Sequence, residues 1–115
     1  MVKDIIVAIG NPNVREKVIT ALEGLFCLAA LIHPLAYISK SVVLEEGCNV
    51  EPGVVVQTAA KVDKACILNA GAVLNHNCTV MGYSQVDCNA VVAARAVVPK
   101  GTKVESGTVW KDRLP

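Results

Sequence analysis

Residues 47–100 read GCNVEP GVVVQT AAKVDK ACILNA GAVLNH NCTVMG YSQVDC NAVVAA RAVVPK, nine hexapeptides with no residue between them. The same frame runs outward to Leu35 and to Asp112, which gives thirteen consecutive hexads. In every hexad the fourth position is large and apolar and the second is small or β-branched. Residues two apart point to the same side of a β-strand, so both positions face one interior. The pattern lacks the 3.6-residue period of a helix.

A two-residue alternation that restarts every six residues predicts short strands wound about an axis. The first hexad position is often glycine or asparagine, which tolerate the positive φ of a tight corner. These residues are Gly47, Gly53, Gly71, Asn77, Asn89, Gly101 and Gly107. The repeat resembles that of hexapeptide-repeat proteins, which place three hexads in each coil and wind left-handed. The resemblance implies a mainly β fold class, a left-handed parallel β-helix over residues 35–112. Equivalent residues eighteen apart should then form ladders, such as Cys48–Cys66–Ser84 and Thr58–His76–Ala94.

The first 34 residues break the hexad frame and predict a small β-α-β segment. Asp4 to Gly10 is typical of a buried strand, Asn11 can cap a helix with Pro12 in its first turn, and Cys27 to Ile32 is typical of a second strand. The apolar stripe expected on the helix comprises Val14, Val18, Leu22 and either Leu25 or Phe26. Residues 113–115 are expected to be a C-terminal tail.

Composition limits the classes of function. Hydrophobic residues make up 53% of the 115-residue chain but aromatic residues only 3%, which suits a narrow core. The net charge of +1 argues against nucleic acid as a main partner. The apolar run from Leu25 to Ile32 is too short to cross a membrane, and with no signal-like start a soluble, cytoplasmic protein is expected. The five cysteines have no CxxC spacing and are expected to be free thiols.

Only two histidines are available for chemistry. His33 lies before Pro34 at the start of the first coil, where a structural role at the junction is expected. His76 falls on the sixth hexad position, an outward corner, between Asn75 and Asn77. Position alone leaves His76 open between a solvated surface residue and a catalytic one.

The stretch ILNAGAVLNHNCTVMGYSQVDCNAVV (67–92) resembles the motif of hexapeptide-repeat sugar acetyltransferases, of the sialic-acid O-acetyltransferase and UDP-4-amino-sugar N-acetyltransferase type. The stretches IIVAIGNPNVREKV (5–18) and LIHPLAYIS (31–39) also resemble that family, so the resemblance covers almost the whole chain. Its more specific part is the run from Asn69 through Gly71-Ala72 to His76. The resemblance implies a homotrimer that transfers an acetyl group from acetyl-CoA to an amine or hydroxyl of a sugar or nucleotide sugar, with no metal and with active sites between subunits.

Residue by residue, the resemblance implies that His76 is the general base and that the following Asn77 orients it. Asn69 and Gln85 match positions that contact the substrate. The cofactor arm would lie one coil above the base, near Ala94 and the basic Arg95 and Lys100. A general base of this kind removes the proton of the attacking amine or hydroxyl as that group meets the thioester.

Three features depart from the family pattern. Asn77 replaces an acidic residue, Gln85 replaces a second histidine, and the glycine-rich half that holds the nucleotide sugar in the family is expected to be missing. A non-catalytic trimeric β-helix scaffold, or a truncated and inactive relative, is therefore the alternative. A zinc hydratase of the carbonic anhydrase kind, which shares this architecture, needs three histidines per site and is disfavoured. The sequence leaves open the acceptor, N- versus O-acetylation, and whether these departures abolish activity.

Overall fold

A computed structural model of the chain describes residues 4–113; the first three residues and the last two of the expected C-terminal tail lie outside the described residues. The N-terminal segment contains β1 (Asp4–Ile5), α1 (Pro12–Leu22) and β2 (Cys27–Leu28). Fourteen two-residue strands follow. They are β3 (Leu31–Ile32), β4 (Tyr37–Ile38), β5 (Val43–Leu44), β6 (Asn49–Val50), β7 (Val55–Val56), β8 (Lys61–Val62), β9 (Ile67–Leu68), β10 (Val73–Leu74), β11 (Thr79–Val80), β12 (Gln85–Val86), β13 (Val91–Val92), β14 (Val97–Val98), β15 (Lys103–Val104) and β16 (Val109–Trp110).

These strands form the three faces of a prism. The first face is β4-β7-β10-β13-β16, the second is β5-β8-β11-β14, and the third is β3-β6-β9-β12-β15. Every pairing is parallel and in an eighteen-residue register, so that Val73 pairs with Val55 below it and Val91 above it. The predicted β-helix of hexapeptide repeats is confirmed, and its coils match a left-handed β-helix.

The core of the prism is a column of small and branched side chains. Second and fourth hexad positions from Cys48 to Val98 are buried, as the sequence predicts. Each hexad position 1 from Gly47 to Gly107 has positive φ, including the non-glycine residues Ala59, Ala65, Tyr83 and Arg95. The strands thus supply the walls and the left-handed residues supply the corners.

The N-terminal segment is a β-α-β unit, with β1 and β2 parallel to each other. Asn11 caps α1 by accepting a hydrogen bond from the Val14 amide (3.0 Å), and Pro12 opens the helix, as predicted. The second strand expected over Cys27–Ile32 is instead two strands: β2 pairs with β1, whereas β3 pairs with β6 and joins the prism. The division of the chain at residue 34 stays a prediction. No helix among the described residues is long and apolar enough to cross a membrane.

The face of α1 that packs on the prism differs from the predicted stripe. Ile19 is buried, with Val18 and Leu22 partly buried beside it, but Val14 is exposed and Leu25 lies beyond the end of the helix. The residue that takes the place of Val14 on the buried face is Arg15, with no exposed surface. The helix is rotated so that this guanidinium, and not a valine, enters the interface.

Arg15 is held by main-chain carbonyl groups. Its Nε donates to Ala65 O (3.0 Å) and Nη2 to Tyr83 O (2.5 Å), both at left-handed corners of the prism. Nη1 donates to Ile9 O (2.6 Å) and Gly10 O (3.0 Å). Burial lowers the pKa of Arg15 from its ordinary value, but an arginine still carries its charge in a protein. One side chain therefore joins α1, the loop that precedes it and two coils of the prism.

Replacing Arg15 with methionine should lower the free energy of unfolding by about 2–4 kcal/mol, because four carbonyl groups lose a charged donor. Urea denaturation measures this loss. The control is Lys17→Met, in the same helix at an exposed position, which should change stability by less than about 0.5 kcal/mol. Equal midpoints for the two variants would show that the carbonyl contacts of Arg15 do not stabilise the fold.

Gly71 offers a second test of the corners. A Cβ built on Gly71 (φ +74°) would lie 2.1 Å from Asn89 Oδ1, whereas one built on Gly101 (φ +68°) meets nothing within 4 Å. Both alanine variants bear the cost of a left-handed residue, roughly 1–2 kcal/mol, and only Gly71→Ala must also turn the exposed side chain of Asn89 away, which adds about 0.5–1.5 kcal/mol for a strained rotamer. Thermal unfolding should therefore rank Gly71→Ala clearly below Gly101→Ala; the reverse order would contradict the close approach of Asn89.

Candidate active site

His76 lies on the edge where the first face turns into the second. The corner is closed by main-chain hydrogen bonds to the coils on both sides: Asn77 N donates to Thr58 O (3.0 Å), and Arg95 N donates to His76 O (3.1 Å). Sixth-position residues therefore stack along this edge, which we call the histidine edge. From the first coil upward they are Lys40, Thr58, His76, Ala94 and Asp112. The predicted ladder Thr58–His76–Ala94 is thus confirmed.

The imidazole of His76 is exposed and contacts the amide of Asn77. His76 Nδ1 lies 3.0 Å from Asn77 Oδ1. An amide oxygen only accepts hydrogen bonds, so in the neutral ring Nδ1 carries the hydrogen and Nε2 keeps its lone pair. The left-handed backbone of Asn77 (φ 61°) turns the chain sharply at this contact. The pair can hold a neutral base with Nε2 as its reactive atom, but Asn77 brings no negative charge.

Acidic side chains are unevenly distributed around the prism. The corners of the histidine edge at 57–60, 75–78 and 93–96 contain no Asp or Glu, and Arg95 is exposed there. The edge between the third and first faces carries Glu51, Asp87 and Glu105 at fifth hexad positions. An anionic ligand would therefore meet least repulsion at these three corners of the histidine edge.

Sixth-position amide N–H groups can bind anionic oxygen atoms. Ala70 N donates to Glu51 Oε1 (2.9 Å), and Cys88 N donates to Asp87 Oδ1 (2.7 Å). The hydrogen bond from Cys88 N, followed by the charge of Lys103, holds the pKa of Asp87 below its ordinary value. His76 and Ala94 occupy the same hexad position on the histidine edge. Their main-chain N–H groups are therefore corner donors of the same kind as those of Ala70 and Cys88.

The predicted substrate-binding residues, Asn69 and Gln85, lie away from the histidine edge. Gln85 Nε2 donates to Asn69 Oδ1 (2.7 Å) on the third face. The whole width of the first face, at β10, separates this pair from the histidine edge. A single chain therefore brings Asn69 and Gln85 together but does not bring them to His76. Their contact with substrate stays a prediction.

Two of the three predicted cofactor-binding residues share the histidine edge. Ala94 lies one coil above His76, with Arg95 next to it. Lys100 lies on the edge between the second and third faces, where its Nζ is 2.7 Å from Glu16 Oε2 and 5.6 Å from the centre of the Tyr83 ring. The hydrogen bond to Glu16 raises the pKa of Lys100. The structure thus separates Lys100 from Ala94 and Arg95, because the chain crosses the second face between Arg95 and Lys100. Lys100 therefore lies on the edge against which α1 packs.

The remaining candidates have structural partners. His33 Nδ1 accepts a hydrogen bond from Leu35 N (3.1 Å), which fits the expected junction role. All five cysteines are free, as predicted, with Cys27 and Cys88 exposed and the others in the core. Burial raises the pKa of Cys78, behind the histidine edge, to about 11, which keeps it a neutral thiol. Within residues 4–113 no three His, Cys, Asp or Glu side chains are grouped so as to hold a metal ion.

No protein-family model matches the chain. The chain is, however, similar to several solved structures. The acetyltransferase domain of PglB from Neisseria gonorrhoeae FA1090, in complex with acetyl coenzyme A, is 28% identical with a TM-score of 0.72, over 97% of this chain and 64% of that one. Another structure of that domain gives 26% identity and a TM-score of 0.64 over the same shares. The resemblance to hexapeptide-repeat sugar acetyltransferases is confirmed.

More distant structures share the fold. A histidine-to-asparagine mutant of perosamine N-acetyltransferase from Caulobacter crescentus, in complex with CoA and GDP-perosamine, is 23% identical with a TM-score of 0.51, over 93% of this chain and 63% of that chain. The chain thus spans about 64% of the length of the PglB domain that it matches.

Sequence reasoning missed two features of the structure. The stripe predicted for the buried face of α1 did not include Arg15, although its spacing of four from Ile19 places both on one helical face. The neutral polar side chains on the coils below His76, namely Ser39, Gln57 and Thr58, were also missed. The hexad pattern shows which residues point outward but not which of them line a site.

The tautomer of His76 can be measured directly. Ring ¹⁵N chemical shifts of the neutral imidazole should show hydrogen on Nδ1 and a bare Nε2, because the oxygen of Asn77 accepts from Nδ1. Asn77→Ala should move the equilibrium toward the Nε2–H form, whereas the neighbouring change Asn75→Ala should not. A dominant Nε2–H tautomer in the unmodified protein would contradict the contact.

Proposed function

We propose that the chain carries the acyl-transfer site of an acetyl-CoA-dependent acetyltransferase acting on an amine or hydroxyl of a sugar or nucleotide sugar. The observation that carries the proposal is the pair His76–Asn77, which is exposed on the histidine edge with Nε2 available as a base; the corners of that edge at 57–60, 75–78 and 93–96 contain no acidic side chain. The similarity to the PglB acetyltransferase domain in complex with acetyl coenzyme A supports the choice of co-substrate. The complex of perosamine N-acetyltransferase with CoA and GDP-perosamine suggests the kind of acceptor.

In the proposed mechanism His76 Nε2 takes the proton of the acceptor amine or hydroxyl as that group attacks the thioester carbonyl. A new C–N or C–O bond forms and the carbonyl oxygen becomes an oxyanion. A corner amide at the level of His76 or Ala94 donates a hydrogen bond to this oxygen. The C–S bond then breaks, and the imidazolium returns its proton to the departing thiolate of CoA. Asn77 keeps the ring in the reactive tautomer throughout.

The proposal includes a homotrimer. Third-position side chains on the outer surface of the first face are apolar in every coil, and they lie next to the histidine edge. They are Tyr37, Val55, Val73, Val91 and Val109. Apolar β-branched ladders on an outer face favour burial against another subunit. Packing there would bring a neighbouring chain beside His76, and could bring its Asn69 and Gln85 to the substrate. A cytoplasmic location is part of the same proposal.

The alternative is a trimeric scaffold without activity. It is favoured by Asn77, because an amide cannot stabilise an imidazolium as a carboxylate does. The two readings agree on fold and assembly and differ in chemistry and CoA binding.

Acetyl transfer from acetyl-CoA to a panel of amino sugars, sugars and their nucleotide derivatives, followed by mass spectrometry, tests the proposal. His76→Ala should lower kcat/KM by about 10²–10⁴-fold, the usual contribution of a general base. His33→Ala removes the other histidine and should leave the rate unchanged. Turnover that survives His76→Ala would reject His76 as the base, and a protein that neither binds CoA nor transfers acetyl would be the scaffold.

A further inference from the structure

The histidine edge continues for two coils below His76, toward the start of the prism. One coil below is Thr58 and two coils below is Lys40, at about 5 and 10 Å along the axis. Both residues are exposed. Above His76 the same edge carries Ala94 and Arg95, where the resemblance to the family implies the arm of the co-substrate. The lower part is therefore the side left for the acceptor.

The side chains next to His76 and Thr58 are neutral and polar. Fifth-position residues of the three lowest coils are Ser39, Gln57 and Asn75, in line with one another on the first face. Ser39 Oγ lies 3.4 Å from Thr58 Oγ1, so the two hydroxyl groups form one hydrogen-bonding patch across adjacent coils. Hydroxyl and amide groups both donate and accept, which is what the hydroxyl groups of a sugar ring require.

Lys40 ends this strip with a positive charge. The lysines at 61, 64, 100 and 103 form ion pairs, whereas within residues 4–113 no such pair involves Lys40. An ammonium on a flexible stem is a common partner of phosphate. A base, a row of neutral hydrogen-bonding groups and then a cation follow one another along a single edge.

We propose that the lower histidine edge binds an acceptor whose anionic group lies beyond a hydroxylated ring, with Lys40 as the anionic anchor. Thr58 and Ser39 contact the ring, and the reacting amine or hydroxyl faces His76. The inference rests on the proposed function and adds the residues that select the acceptor. The spacing of two coils fits a sugar 1-phosphate or nucleoside-diphosphate sugar that reacts through its C4 or C6 substituent, because the ring then separates that substituent from the phosphate on C1. A free amino sugar would not reach Lys40.

Calorimetric titration with glucosamine, glucosamine 1-phosphate, UDP-glucosamine and N-acetylneuraminic acid tests the anchor. The two phosphorylated sugars should bind more tightly than glucosamine, and Lys40→Met should weaken them by about ten-fold, the effect of one charge-assisted contact. The control Lys61→Met removes an exposed lysine from the second face and should change neither affinity. Tight binding of N-acetylneuraminic acid alone, lost in Lys40→Met, would assign the anion as a carboxylate.

Thr58→Val tests the ring contact. It should weaken every sugar, phosphorylated or free, by about ten-fold while leaving CoA affinity unchanged. The same variants assayed for turnover should raise KM for the acceptor and not KM for acetyl-CoA.

These outcomes separate the inference from the proposed function. If phosphorylated sugars bind through Lys40 but no acetyl group is transferred, the proposed function fails and the acceptor site stands. If acetyl transfer occurs while Lys40→Met leaves both affinity and KM unchanged, the acceptor site fails and the proposed function stands. Equal affinity of the unmodified protein for glucosamine and its phosphates, or no binding of any sugar, also overturns the inference.

Discussion

Main-chain hydrogen bonds between adjacent coils hold residues eighteen apart side by side in a single register. Val73 pairs with Val55 and Val91, and the corresponding pairings recur around all three faces. Because the register is shared, each corner repeats at the same edge of the prism. His76 is therefore placed by the whole stack of coils and not by its own short loop. Sites built on rigid elements keep their geometry better than sites built on free loops.

The same register accounts for the unusual backbone at the corners. Tyr83 and Arg95 have positive φ, which costs roughly 1–2 kcal/mol for a residue with a side chain. Hydrogen bonds from these residues to the coil below, such as Tyr83 N to Lys64 O (2.9 Å), help to hold the conformation in place. At Tyr83 the left-handed turn also points the carbonyl at Arg15. The conformation that closes the prism thus creates the acceptors that attach α1.

Much of the prism could be predicted from the sequence, because a period of six with two inward positions has one simple geometrical meaning. The corners that require glycine or asparagine were found for the same reason. The N-terminal segment was harder. A helix stripe of Val14 and Val18 is reasonable by hydrophobicity, but the carbonyl groups that favour Arg15 come from coils fifty and sixty-eight residues away.

Prediction of the candidate site was partial for a similar reason. Placing His76 and Asn77 side by side required only the corner geometry, and Ala94 followed from the register. Lys100 was grouped with Arg95 by analogy with the family, but five residues along a hexad repeat lead to another edge. There it meets Glu16, a partner from outside the repeat. Side-chain partners supplied by a different segment are not encoded in the periodicity.

The eighteen-residue register also restricts how such a chain can change in length. Inserting or deleting one hexad between His76 and Ala94 would rotate every later residue by one face and remove Arg95 from the neighbourhood of the imidazole. A change of a full coil would preserve the order of faces and alter only the height of the prism. Evolution of this architecture should therefore tolerate length variation in steps of three hexads, with other insertions confined to loops that protrude from a corner and return to the same register.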